Sequence, residues 1–87
     1  MGLTTGDQLK AARALAGMNQ ADLAASASVN VNTIRNMEAR GRKTLVSGLD
    51  VVQRVQRALE AVGVIFIAEN GEGPGVRLRK ERHDGGP

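Results

Sequence analysis

"NQADLAASASVNVNTIRNMEARG", Asn19 to Gly41, carries two short apolar patterns in close succession. Asn19 reads as a helix N-cap, and Met18 before it can staple to Leu23 across the first turn, with Asp22 at the third helical position. A helix therefore opens at Gln20. Ser26, Ser28 and Asn30 break it, and the same pattern returns: Val29 precedes the cap Asn30, and Ile34 stands where the staple needs it. The next helix is expected over about Val31 to Ala39, closed by Gly41. Two stubby helices around a tight corner are thus written into local capping chemistry.

Working outward, Thr4 or Thr5 can cap a first helix running to about Ala16, with Leu9, Ala12, Leu15 and Ala16 on one stripe and Gly17 beyond its end. Ser47, Gly48, Leu49 and Asp50 read as a further capping box. It opens a fourth helix with the stripe Leu49, Val52, Val55, Leu59 and Val62, ended by Gly63. The run "VGVIFIAENGEGPGVRLRK" then places an apolar segment, a Gly/Pro turn cluster and an alternating segment in the order of a β-hairpin. The expected fold is mainly α: a four-helix domain over residues 1–63, a hairpin over 64–80, and a disordered tail over 81–87.

Composition narrows the chemistry. The 87 residues include one Phe, no Trp, no Tyr and no Cys. An interior of Ala, Val, Leu, Ile and Met suits close-packed helices, and a chain of this length builds one small core. Without Cys there are no disulfides, thiolate metal sites or thiol nucleophiles. No apolar run is long enough for a signal peptide or a membrane span, so a cytoplasmic protein without a membrane partner is expected. His83 sits in the tail without a second His, the carboxylates are scattered, and "ENGEGPG" joins two strands where a phosphate cradle would open a helix. We expect no enzymatic activity, no metal and no cofactor.

The formal charge is +3, and residues 1–63 hold 8 Lys/Arg against 5 Asp/Glu while residues 64–87 hold 4 against 4. All the excess lies in the helical part. Arg35, Arg40, Arg42 and Lys43 meet only Glu38 among their neighbours, and taken alone they make either a solvated face or an anion-binding footprint.

A short helix, a tight corner and a second short helix form a helix-turn-helix, in which the first helix supports and the second enters a DNA major groove. Leu23, Ala24, Ala27, Val29, Ile34 and Met37 are apolar where that corner needs an interior, and a side chain larger than Ala24 would push the helices apart. The stretch from Asn19 to Gly41, with its Gln, acidic residue, Leu-Ala, small-Val, polar cap, Thr-Ile and Glu-x-x-Gly, resembles the helix-turn-helix of the phage-repressor (Xre or Cro-like) family. The resemblance covers roughly Thr5 to Val62. Ser28 departs from it, occupying the corner where that family usually has Gly; a left-handed conformation there costs a non-Gly residue roughly 1 kcal/mol or more.

What the resemblance implies can be placed residue by residue. Gln20 would reach a phosphate and brace the third helix; Val31, Asn32, Arg35 and Asn36 would face base edges, with Asn30 and Thr33 nearer the backbone. The chemistry of those side chains agrees, since Arg can pair bidentately with guanine, Asn with adenine, and Val methyls can meet a thymine methyl. Arg40, Arg42, Lys43 and Thr44 would line the phosphate backbone, contributing affinity without sequence choice. Eight such contacts in a dimer imply a log-affinity against log-salt slope of roughly −7. Glu38, repelled by phosphate, is expected to pack on nearby backbone or an Arg.

The hairpin bears on partners. Val76, Arg77, Leu78 and Arg79 alternate, but Val64, Ile65, Phe66 and Ile67 are apolar on both faces, and the fourth helix covers only one. A lone hairpin is marginal in water and its edges invite another chain. Val64, Ile65, Phe66, Ile67, Val76 and Leu78 are therefore expected to form a homodimer interface, the alternative being a lid on the chain's own core. Two functions fit: a transcriptional regulator, most simply a homodimeric repressor reading a palindromic operator in double-stranded DNA, or an antitoxin-like module whose hairpin covers a partner protein.

Overall fold

A computed structural model describes residues 2–79. Four helices, α1 (Gly6–Ala16), α2 (Gln20–Ala27), α3 (Val31–Ala39) and α4 (Leu49–Ala61), precede an antiparallel hairpin of β1 (Val64–Ile67) and β2 (Gly75–Leu78). Lys80 and the expected tail at 81–87 lie outside the described residues. Among the described residues, no helix is long and apolar enough to cross a membrane.

The caps set the boundaries. The Thr5 side chain accepts from the Gln8 amide while the Gln8 side chain accepts from the Thr5 amide, a complete capping box that selects Thr5 over Thr4. Asn19 and Asn30 accept from the amides of Asp22 and Asn32, both at 2.7 Å. Between α2 and α3 the chain turns on Ser28 at φ 57°, ψ 46°, so this departure from Gly is carried in the left-handed region.

One core joins all six elements: Leu3, Leu9, Ala12, Leu23, Ala24, Ala27, Ile34, Met37, Val52, Val55, Leu59 and Val64 are buried, and Met18, Val29, Phe66 and Val76 pack against them. The hairpin therefore shares the helices' core. Its register pairs Val64 with Leu78, Ile65 with Arg77, Phe66 with Val76 and Ile67 with Gly75. Cross-strand partners share a face, so Val64, Phe66 and Val76 face inward, while Ile65, Ile67 and Arg77 face out. Gln8, buried in α1, fastens the hairpin down by donating from Nε2 to the carbonyls of Gly2 (2.8 Å) and Gly75 (3.1 Å).

Several expectations need correction. Gly48 is the N-cap of α4 and no side chain caps it, so Ser47 opens no capping box. Leu15, Leu49 and Val62 are 44, 60 and 50% exposed. At 100° per residue Leu15 and Leu49 fall roughly 90° from the centres of the stripes on their helices, and Val62 is the C-cap, where that periodicity has ended.

Candidate nucleic-acid interface

The outer surface of α3 is positioned from behind. Met37 and Ile34 are buried beneath it, and Glu38, on the same helix, turns away from solvent with its side chain 7% exposed. Arg13 of α1 grips that carboxylate from two sides, Nε to Oε2 at 2.8 Å and Nη2 to Oε1 at 3.1 Å, and donates from Nη1 to the Met18 carbonyl. Gln20, the first residue of α2, donates from Nε2 to the same Glu38 at 3.1 Å. One carboxylate thus ties three helices together. Its hydrogen bond raises the Arg13 pKa above the ordinary value; burial opposes that and the Glu38 charge adds to it.

The approach of α1 also sets the loop beyond α3. A Cβ on Gly6 would overlap the Met37 carbonyl oxygen, so glycine lets the start of α1 sit on the end of α3. The Asp7 amide donates to the Gly41 carbonyl, Leu45 donates to Thr4, and Thr44 bridges to Thr5. Residues 40–45 are held in place from both ends.

On this frame Asn32, Arg35 and Asn36 are exposed together on one side of α3, and Arg42, Lys43 and Thr44 are exposed in the loop after it. Arg35 donates from Nη1 to Asn32 Oδ1 at 3.0 Å. Because Glu38 is paired with Arg13 and turned inward, the charged side chains that this segment exposes, Arg35, Arg42 and Lys43, are all cations.

Other expected positions have a different employment. Val31 is half-buried and packs against the core, so its methyls are in part turned inward and it faces out less than its sequence position implies. Asn30 is exposed with its Oδ1 occupied as the cap, and Thr33 is half-buried. Arg40 folds over its own loop, donating from Nε and Nη2 to the Thr44 carbonyl at 3.2 and 3.0 Å, which makes it a loop closure before it is an outward cation. Gln20 braces α3 through Glu38. In the hairpin, Val64 is 3% exposed within its own chain, so it is not available as an interface residue; Phe66 and Val76 are likewise engaged with the core, leaving of the expected set Leu78 exposed and Ile65 and Ile67 half-buried outside the core.

Arg13, Gly6 and Gln8 support this geometry and carried no assigned role in the sequence reading. Arg13 meets Glu38 across 25 positions and Gln8 meets Gly75 across 67, separations at which no local pattern points from one to the other. Among the described residues no three His, Cys, Asp or Glu side chains come together as a metal site. No protein-family model matches the chain, and a search of curated proteins finds no significant match.

Proposed function

We propose that this protein is a sequence-specific DNA-binding transcriptional regulator of the helix-turn-helix type, akin to the phage-repressor family, with α3 entering the major groove. The observation that carries the reading is the exposed Asn32–Arg35–Asn36 face on a helix braced through Glu38, flanked by the basic loop. Arg35 and its neighbours would touch base edges, and Arg42 and Lys43 would grip phosphates. With Arg40 the cations number about six per dimer, so the salt slope expected from the geometry is roughly −5, shallower than simple counting of loop residues implies.

The homodimer belongs to the same proposal. The register, with Arg79 donating to Gly63, makes Ile65–Arg77 and Ile67–Gly75 the hydrogen-bonded pairs, so the backbones of Val64 and Phe66, and of Val76 and Leu78, point to the outer edges. None of these edge groups has a partner among the described residues. With Val64 itself buried, the unpaired edge groups of Phe66 on β1 and of Val76 and Leu78 on β2, beside the half-buried Ile65 and Ile67, suit pairing with a second copy, and a two-fold pair would read half-sites about one helical turn apart.

Selection of bound fragments from a genomic or random duplex pool tests the reading. A two-fold symmetric motif is the expected result. On the selected duplex Arg35→Ala should lose discrimination at one base pair, about 1–3 kcal/mol, whereas Lys43→Ala should weaken all sequences alike and lower the salt slope by about 1. Equal losses on cognate and random duplex for both variants would refute the division of roles, and light scattering showing one chain per particle at micromolar concentration would remove the dimer.

A further inference from the structure

An asparagine that reads adenine must offer both halves of its amide: Oδ1 to the adenine amino group and Nδ2 to N7. On α3 that acceptor half is taken twice. Asn30 Oδ1 accepts the Asn32 backbone amide at 2.7 Å, and Asn32 Oδ1 accepts from Arg35 Nη1 at 3.0 Å. Neither amide can be turned over without loss, because a backbone N–H and a guanidinium only donate. What this first turn and a half presents outward is therefore mostly hydrogen: the Nδ2 groups of Asn30 and Asn32 and the remaining N–H groups of Arg35, against one lone pair left on each Oδ1.

From this we infer that Asn32 and Arg35 act as one reading unit that turns a donor-only fork to the base, selecting guanine in preference to adenine at the base pair they meet. It rests on the DNA-binding reading above and narrows it. In the major groove guanine shows two acceptors, N7 and O6, side by side; adenine shows one acceptor next to an amino donor, and cytosine shows a donor. The Nε and Nη2 edge of Arg35, free of the Asn32 contact, is a fork that matches the guanine pair. Asn32 Oδ1 keeps a second lone pair, but the Arg35 fork that it positions carries donors alone, and an adenine amino group set against that fork meets donor against donor. Asn32 is then chiefly a positioning residue: by holding Nη1 it fixes the plane of the fork, and a long side chain that is already oriented loses less freedom when it binds. Asn36, with both amide groups unengaged among the described residues, stands outside this unit and keeps the capacity to read adenine.

Parallel selections on random duplex pools with the wild-type chain, Asn32→Ala, Arg35→Ala and Arg35→Lys test this, with thermal melts to establish that each variant folds. In the wild-type motif the position that loses information in Arg35→Ala should be a guanine. Replacing that base by 7-deazaguanine, which lacks the N7 acceptor, should weaken wild-type binding about tenfold while leaving Arg35→Ala unaffected. Arg35→Lys should retain the salt slope and weaken the preference, since an ammonium still donates to guanine but lacks the planar fork. Asn32→Ala should blur the same guanine, and the double variant should bind no more than about twofold worse than Arg35→Ala alone, as members of one unit behave. An adenine at that position, or Asn32→Ala and Arg35→Ala penalties that simply multiply, would overturn the inference and leave the DNA-binding reading standing. Failure of any duplex to be enriched would overturn both.

Discussion

The corner built from α1, α2 and α3 and the hairpin of β1 and β2 solve the same problem, fixing a short element on a small core, by opposite means. The corner is over-determined: capping side chains at Thr5, Asn19 and Asn30, a buried apolar set, and a carboxylate holding an arginine and a glutamine from two other helices. The hairpin has one buried side chain, Val64, a few half-buried ones, and a single buried glutamine fastening Gly75. The contrast follows from what each surface must do under the proposed function. A helix that reads bases loses discrimination if it wanders, whereas a strand pair awaiting a second copy needs its edges open.

The largest break in that comparison should come from Glu38→Ala. It strands Arg13 with its side chain only 20% exposed, and removes the partner of Gln20. Removing one member of a buried pair is costly because the other charge stays behind, and for a pair with this residual exposure a loss of about 3 kcal/mol is expected. Asp50→Ala is the internal control. Its pair with Arg54 lies at 3.3 Å with both side chains at least half exposed, so a change within about 0.5 kcal/mol is expected. Urea midpoints for the two variants decide: shifts of equal size would mean that the Glu38 cluster braces nothing.

Ser28→Gly should sharpen the corner, by less. At φ 57° the serine pays the left-handed penalty, and glycine relieves about 1 kcal/mol of it while returning part through the greater freedom of the unfolded chain. A net gain of roughly 0.5 kcal/mol, seen as a higher urea midpoint at unchanged slope, is the expectation. A fall in the midpoint would show that the serine side chain contributes something there that its backbone conformation does not reveal.

The same contrast explains what could be read from the residues alone. Asn19 and Asn30 cap within three residues of their partners, so the bounds of α2 and α3 were legible one residue at a time. At α4 the local pattern misled: Ser47 has the right chemistry one position too early, and Gly48 takes the cap with no side chain to offer. Around the site, exposure of Asn32, Arg35 and Asn36 followed from helical period, but Val31 shares its turn with the core edge and Arg40 reaches a carbonyl four residues on. For Glu38 the residues alone left nearby backbone or an arginine as partner, because the choice of Arg13 depends on how α1 crosses α3. Packing between distant segments, not local preference, made that choice.

The smallest expected effect lies at the tip of the hairpin, where the contrast meets pH. Between β1 and β2, Glu69 accepts from the amides of Gly71 at 2.7 Å and Gly73 at 2.8 Å, and both glycines sit at positive φ. Those two bonds, Gly73 first and Gly71 second, hold the Glu69 pKa below its ordinary value against an opposing effect of desolvation. A carboxylate with a lowered folded-state pKa supports the structure above its unfolded value, and that support fades as pH falls through the lowered one. Arg13 runs the other way: its raised pKa means that its own deprotonation withdraws support only as pH rises through the folded value, far from the acid range. Acidification should therefore move the Gly71 and Gly73 amide resonances with a shared midpoint below that of an unstructured glutamate. Glu69→Gln should abolish that titration while leaving the amides of α3 where they were. If the two glycine amides follow the ordinary glutamate value instead, the carboxylate does not organise the turn, and the hairpin tip is ordered by its glycines alone.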